Sequence, residues 1–375
     1  MNKDTGPSVR IFNLAKGLAA VGNDVKIILP SHTTTHQFID GFSVFRVKGF
    51  YPKAFLNVMT KLVNVGRPTS LYFYDLFFVH RASQLIRDAD VVQFEQQSSS
   101  GIFMPFIKKV LRRRVVVDCH DVFQALRVQH TSTLRKMLET FLEKLAYRYA
   151  DLALAVSEQE KKLLTLSVPK VRSVAVLPNG VDTTAFSESS KSHRIRAQYD
   201  LGNSRIVVFV GNLSYPPNIE AVKILSSIIA PLVHDRLRDS RFLIVGKVHQ
   251  KIESSEVLFT GFVDNVAEIL ASSDVAVAPL THGSGTRLKI LEYFSCGLPV
   301  VSTSIGAEGL DVENGVDILI EDNLERFALR IVELLTNPIL SKALGRAGRK
   351  LAKETYDWQV ITKRLDTVLT DLISG

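Results

Sequence analysis

Cysteine is nearly absent: Cys119 and Cys296 are the only two in 375 residues, and each sits within an apolar strand or helix pattern. That scarcity argues against a disulfide framework or a thiolate metal site and fits a reducing cytoplasm. Long apolar runs are missing as well. A membrane-spanning helix needs about 18 consecutive apolar residues. The richest stretch, Phe50 to Val79, is broken by Lys53, Lys61, Arg67, Pro68 and Asp75. Met1-Asn2-Lys3-Asp4 does not begin a secretion signal, so the Asn212-Leu213-Ser214 sequon reads as chance. There is no short-period repeat and no low-complexity tract. No G-x-G-x-x-G follows an expected strand, which argues against a dinucleotide dehydrogenase.

The composition, 46% hydrophobic and 22% charged, is that of a globular chain. Its length exceeds one ordinary core, which favours two domains. Charge is unevenly spread. Residues 1–183 hold 25 Lys and Arg against 15 Asp and Glu, whereas residues 184–375 hold 21 against 23. The basic half carries a cluster at Lys108, Lys109, Arg112, Arg113 and Arg114. An anionic lipid surface, a phosphate-bearing acceptor or a plain solvated face would each account for it. Nucleic acid ranks last, because no zinc finger, basic zipper or aromatic RNA-binding signature accompanies the charge.

Strand-length apolar runs alternate with helix-period segments, the pattern of parallel sheets with helical crossovers. The first half predicts strands at 25–29, 91–94, 115–119, 152–156 and 174–177, with helices at 8–21, 72–86 and 134–149. A second series follows at 206–210, 242–245, 257–259, 275–278 and 300–302, before three closing helical segments. The fold class is therefore α/β with two Rossmann-like domains. Expected boundaries are a first domain over 1–186, a polar linker over 187–204, a second domain over 205–354, and a C-terminal helix over 355–375 that packs back on the first domain.

Pro279 to Leu310 is the most informative segment. A strand ends at Ala278, Gly283-Ser284-Gly285 turns, and Thr286 is expected to open a helix running to Cys296. Free N–H groups and the dipole at a helix start favour an anion, and glycines let a diphosphate approach the backbone. Arg287 and Lys289 place positive charge where the dipole disfavours it, which an anionic partner would explain. Glu292, three residues past Lys289 on the same face, is within reach of ribose hydroxyls. The bland alternative is a surface Lys289–Glu292 ion pair beside an ordinary turn.

The run G-x-G-T-R-L-K-I-L-E resembles the signature of family four of the retaining GT-B glycosyltransferases, whose two Rossmann-like domains face each other across a cleft. Val156-Ser157-Glu158, Leu177 to Asp182 with Phe186, Phe209 to Leu213, Phe242 to Gly246 and Phe259 to Val263 follow in the family's order. The resemblance implies a donor site of Gly211, Asn212, Gly246, Phe262, Val263, Gly283, Ser284, Gly285, Thr286, Arg287, Leu288, Lys289 and Glu292. In it Glu292 holds the ribose, Phe262 and Val263 the base, and Arg287 and Lys289 the diphosphate. Val117-Asp118-Cys119-His120-Asp121 resembles the strand end whose histidine faces the transferred sugar, so His120 joins Arg287 and Lys289 as a catalytic candidate. Gly6, Arg10, His120 and Asp121 are the acceptor-side candidates. Two departures stand out. Ser284 occupies the place of the first glutamate in the family's E-x7-E motif, and Asn212 and Pro217-Asn218 stand where many members carry Arg and Lys. Arg287 and Lys289 are expected to supply that charge from the other side of the pocket.

The implied activity is sugar transfer from a nucleoside diphosphate to a glycan or lipid-linked acceptor, with retention and with neither metal nor cofactor, at the cytoplasmic side of a membrane. Asp88-Ala89-Asp90 spells the Asp-x-Asp of metal-dependent sugar transferases. Yet Asp90, Asp151 and Asp274 each precede an apolar strand, which is the wrong end for ligand chemistry. No His/Cys/Asp ligand cluster is visible. A non-catalytic nucleotide-sugar binder, which Ser284 would suit, and a GT-B epimerase are the alternatives. Asp4 to Pro7 also reads as the loop after a first strand, with an expected additional strand of roughly 5–6 apolar residues upstream.

Overall fold

The computed structural model describes residues 6–49, 76–95, 104–120, 133–168, 170–187, 193–247, 256–283 and 287–375. The chain divides into two compact units, one of Met1–Pro178 with Ile361–Gly375 and one of Asn179–Val360.

The first unit opens with α1 (Gly6–Ala20), then β1 (Lys26–Ser31), β2 (Thr35–Ile39) and β3 (Phe42–Lys48). The β2–β3 hairpin is absent from the sequence reading because β2 is mostly exposed and carries little apolar signal. Its turn is nonetheless written in the chain: Asp40 and Gly41 take φ of 48° and 90°, the positive values that a two-residue hairpin turn requires. After α2 (Leu76–Leu85) come β4 (Val91–Phe94), α3 (Met104–Lys109), β5 (Arg114–Cys119), α4 (Thr133–Tyr149), β6 (Leu152–Ala155), α5 (Glu158–Ser167) and β7 (Val174–Val176). Strands β4 to β7 form a parallel sheet in sequence order, and β1, β3 and β2 form a separate sheet among the described residues. Register pairs Phe94 with Val117 and Cys119 with Ala155, which brings the carboxyl ends of β4, β5 and β6 into line.

The second unit contains α6 (His193–Gln198), β8 (Arg205–Val210), α7 (Pro216–Ile224), α8 (Ala230–Arg236), β9 (Ser240–Val245), β10 (Val257–Gly261), α9 (Val266–Ala271), β11 (Val275–Ala278), α10 (Leu288–Ser295), β12 (Val300–Ser302), β13 (Leu319–Ile320), α11 (Leu324–Thr336) and α12 (Pro338–Leu351). Its sheet runs β10-β9-β8-β11-β12-β13 and every pair is parallel. That is the doubly wound order, with its switch point between β8 and β11. The stretch expected as a linker is, from His193, part of this unit: Ile195 and Leu201 are buried in its core, where apolar side chains hidden among polar neighbours are drawn in. The two compact units divide at Pro178/Asn179. The closing helix α13 (Trp358–Ser374) belongs to the first unit from Ile361 onward. There Thr362 lies so close to Gly17 that a Cβ on Gly17 would fall 2.3 Å from its Oγ1, and Asn23 donates to Asp366 at 2.7 Å.

The strand-leading aspartates are structural. Asp151 Oδ2 accepts from Val115 N at 2.9 Å, and Asp274 Oδ2 accepts from Ile206 N at 2.8 Å, so each satisfies the first N–H of the neighbouring strand. Asp88 and Asp90 lie exposed at the amino end of β4.

Candidate functional site

In the second unit, three strand ends are tied in a row. Gly211 N donates to Val245 O at 2.9 Å, and Gly246 N donates to Gly261 O at 3.0 Å. Gly246 has φ of +145°, and a Cβ there would sit 1.9 Å from the Gly211 carbonyl oxygen, so only glycine permits the approach. Beyond Gly211 the chain folds on itself. Asn212 O accepts from Tyr215 N at 3.1 Å and from Asn218 Nδ2 at 2.9 Å, while Asn212 Oδ1 accepts from Ser214 N at 2.9 Å.

The loop after β11 meets this turn. Gly283, at φ +121°, lies against Tyr215 and Arg287: a Cβ would be 3.2 Å from the Tyr215 hydroxyl and 3.3 Å from Arg287 Nη2. Arg287 is buried and caps α10, which runs from Leu288 to Ser295. Lys289 Nζ donates to Asn218 Oδ1 at 2.8 Å and stands 4.0 Å from the Phe209 ring centroid, within cation–π range. Tyr293 pins the same helix by accepting from Val210 N at 2.8 Å. Leu288 packs on the core, a packing role.

The electrostatics follow from this packing. Desolvation pushes Lys289 down to about 7, Arg287's charge adds to the effect, and Glu292 opposes it. Desolvation likewise pushes Glu292 up to about 7 against the pull of Lys289. Two cations are thus pressed together at a switch point, with a carboxyl one helical turn further in. Such an arrangement is chemically suited to an anion with hydroxyls beside it.

Of the expected donor residues, Gly211, Asn212, Gly246, Gly283, Arg287, Leu288, Lys289 and Glu292 occupy these strand ends and this helix. Ser284, Gly285 and Thr286 lie outside the described residues, and helix geometry starts at Leu288 rather than Thr286. Phe262 follows the third tied strand end and is 76% exposed, while Val263 packs on the core. Both line a shallow pocket of about 240 Å³ with Tyr199 and Arg194. Asn218 escaped the sequence reading, although its position after Pro217 marked a departure from the family's basic residues.

In the first unit, His120 follows β5, and its Nε2 lies 2.9 Å from Glu95 Oε2. Gly6 begins α1, and Asp121 lies outside the described residues. Arg10 requires a correction. It is 0% exposed, donates to both Asp118 oxygens at 2.8 and 2.9 Å, and donates to the carbonyls of Pro178 and Leu177 at 2.8 and 2.9 Å. A guanidinium so enclosed holds the fold and does not meet an acceptor. The absence of a visible ligand cluster is corrected too. The fold gathers Glu95, Asp118 and His120, with ligand atoms within 4.8 Å of one another, from positions distant in sequence. Arg10 already occupies both oxygens of Asp118, so this donor set does not suit a cation.

Comparison with known proteins converges on this architecture. The description "Glycosyltransferase Family 4" matches residues 5–185, and "Glycosyl transferases group 1" matches residues 204–337. A GDP-mannose-dependent alpha-(1-6)-phosphatidylinositol monomannoside mannosyltransferase of Mycolicibacterium smegmatis is 25% identical over 336 residues, covering 83% of this chain and 84% of its own. Sucrose-phosphate synthase from Thermosynechococcus elongatus superposes with a TM-score of 0.73 at 18% identity, covering 99% of this chain and 94% of that one. Anabaena HepE in complex with UDP and glucose gives 0.70 at 16%, covering 98% and 96%. The fold is GT-B, with two Rossmann-like domains. The chain belongs to the family 4, group 1 glycosyltransferases and is a glycosyl-transferring enzyme.

The Lys289 environment has a pH signature. A lysine whose folded pKa lies near 7, below its unfolded value, binds fewer protons folded than unfolded between the two, so stability rises with pH across that window. Glu292, raised to about 7, does the opposite between its unfolded value and 7. Urea denaturation of the ligand-free protein should therefore show the wild type gaining stability relative to Lys289→Met from pH 7 towards 10. Parallel curves for the two proteins would contradict the desolvated lysine.

Proposed function

We propose that the enzyme moves a sugar from a nucleoside-diphosphate sugar to a glycan or lipid-linked acceptor, with retention and without a metal or cofactor. The observation that carries this reading is the desolvated Arg287–Lys289 pair held against the loop after β8. Breaking a glycosyl–phosphate bond builds negative charge on the departing diphosphate, and fixed cations in a poorly hydrated pocket stabilise that charge without reorganising. Arg287 and Lys289 take the leaving group, Glu292 the ribose hydroxyls, Phe262 and Val263 the base, and His120 the donor sugar or acceptor. The UDP and glucose bound to HepE, and the GDP-mannose and phosphatidylinositol monomannoside named for the mycobacterial relative, support the two substrate classes. Retention rests on the family resemblance.

The reading extends to a membrane. Among the described residues no helix is long and apolar enough to cross one. We place the enzyme at the cytoplasmic face of an anionic leaflet, held by the basic first unit. Of the aromatics near residues 50–78, Phe78 is buried and unavailable, and Phe50, Tyr51, Phe55, Tyr72, Phe73 and Tyr74 lie outside the described residues. Phe106 and Val110 are exposed on α3 and just beyond it, next to Lys109 and Arg112, and supply apolar contact.

A thermal-shift screen with UDP-, GDP- and ADP-glucose and -mannose identifies the donor, because a ligand at 100 times its Kd stabilises by about 2.7 kcal/mol. With that donor, and in excess EDTA, Glu292→Ala should lose about 1.5–3 kcal/mol of binding while staying folded. Arg287→Ala should lose more in turnover than in affinity. Unchanged affinity in a folded Glu292→Ala, or dependence on added magnesium or manganese, would contradict the assignments. Binding to phosphatidylglycerol vesicles should weaken as salt rises, and equal, salt-insensitive binding to phosphatidylcholine would remove the membrane reading.

A further inference from the structure

The carboxyl ends of β4 and β5 carry a polar chain in which His120 alone has a role above. Gln93 Nε2 donates to Glu95 Oε1 at 2.7 Å, and Glu95 Oε2 lies 2.9 Å from His120 Nε2. Glu95 and His120 are each the first residue past their strand, and the parallel register of Phe94 with Val117 fixes their approach. Both are partly buried. Asp118, two residues before His120, has both oxygens committed to Arg10. Among the described residues, Glu95 is therefore the carboxylate bonded to the imidazole.

An ionised carboxylate only accepts hydrogen bonds. The contact with Glu95 therefore requires a proton on Nε2 and leaves Nδ1 as the nitrogen whose protonation can change. We propose that Glu95 is a positioning residue for glycosyl transfer: it fixes His120 in the Nε2–H tautomer and orients the ring, so that Nδ1 accepts a hydrogen bond from a sugar hydroxyl of the donor or acceptor. The inference rests on the reading of His120 as a substrate contact. The charged groups facing the imidazole are Glu95 from the end of β4, Asp118 from β5 and Arg10 from α1. Burial works against the imidazolium, as does Arg10. The Glu95 hydrogen bond and the charges of Asp118 and Glu95 outweigh them, so His120 titrates above its ordinary value. As pH falls through that value, Nδ1 gains a proton and ceases to accept, and activity falls with it.

The test uses the full chain labelled with ¹⁵N-histidine, and nucleotide release from the donor identified by thermal shift. In the wild type the ring-nitrogen shifts should report the Nε2–H tautomer, and the acid limb of kcat/KM should follow the His120 titration. Glu95→Gln keeps a carbonyl acceptor for Nε2–H but removes the charge. It should retain the plateau rate within about threefold while shifting both the acid limb and the His120 titration down by about one pH unit. Glu95→Ala, folded by circular dichroism, should lose the tautomer preference and about tenfold or more in plateau rate. Unshifted titration and limb in Glu95→Gln would overturn the inference while leaving the donor site intact. A fully active His120→Ala would instead remove the substrate role of His120 and the inference with it. If MgCl₂ or ZnCl₂ moved the His120 resonances and raised the rate, the cluster would be a metal site and the proposal would fall.

Discussion

Burying cationic side chains close to one another is unfavourable unless something negative meets them, and that constraint organises the second unit. Lys289 loses hydration against the loop after β8, and the nearby charge of Arg287 compounds the cost. Asn218 Oδ1 and the face of Phe209 compensate only in part, since neither carries a full negative charge. Glu292 is itself pushed towards neutrality. The surrounding geometry serves this arrangement. Gly211, Gly246 and Gly283 admit the close backbone and loop approaches, and Tyr293 anchors α10 to the end of β8. Burial of Lys289 is thus only partly offset by its neighbours, which is the feature the proposed diphosphate would meet.

The first unit shows the contrasting use of charge. Arg10 and Asp118 are both fully buried, yet each is answered, with the guanidinium spread over two carboxylate oxygens and two carbonyls. A closed pair of that kind adds rigidity and holds the chain beyond β7 near the end of β5. The Glu95–His120 contact beside it is only partly buried and keeps a titratable nitrogen. The degree of compensation thus separates the Arg10–Asp118 pair, which holds the fold, from the charges to which the proposal gives substrate roles.

Much of this was legible in the sequence. The β8 to β12 strands and the glycine turn before α10 follow from apolar runs ending in small residues, because a doubly wound sheet writes its buried strands as near-continuous β-branched stretches. The Asp151 and Asp274 positions were legible as strand starts for the same reason. What escaped depended on distance in sequence. Glu95 meets His120 only through strand pairing, and Arg10 meets Asp118 across 108 positions, so no local spacing marks either contact. Ile195 and Leu201 were hidden among charged neighbours, which disguised a core segment as a linker. The hairpin at residues 35–48 was missed through its exposed strand, although Asp40-Gly41 announced its turn.

The proposed donor site requires the desolvated Lys289 to become charged when it meets a diphosphate. Isothermal titration calorimetry of UDP and GDP at pH 8, repeated in two buffers of different ionisation enthalpy, measures the protons taken up on binding. With Lys289 near 7 when empty, binding should draw in a large fraction of one proton. Lys289→Arg, which stays charged throughout, should bind without that uptake. Equal proton uptake in the wild type and in Lys289→Arg would contradict the account.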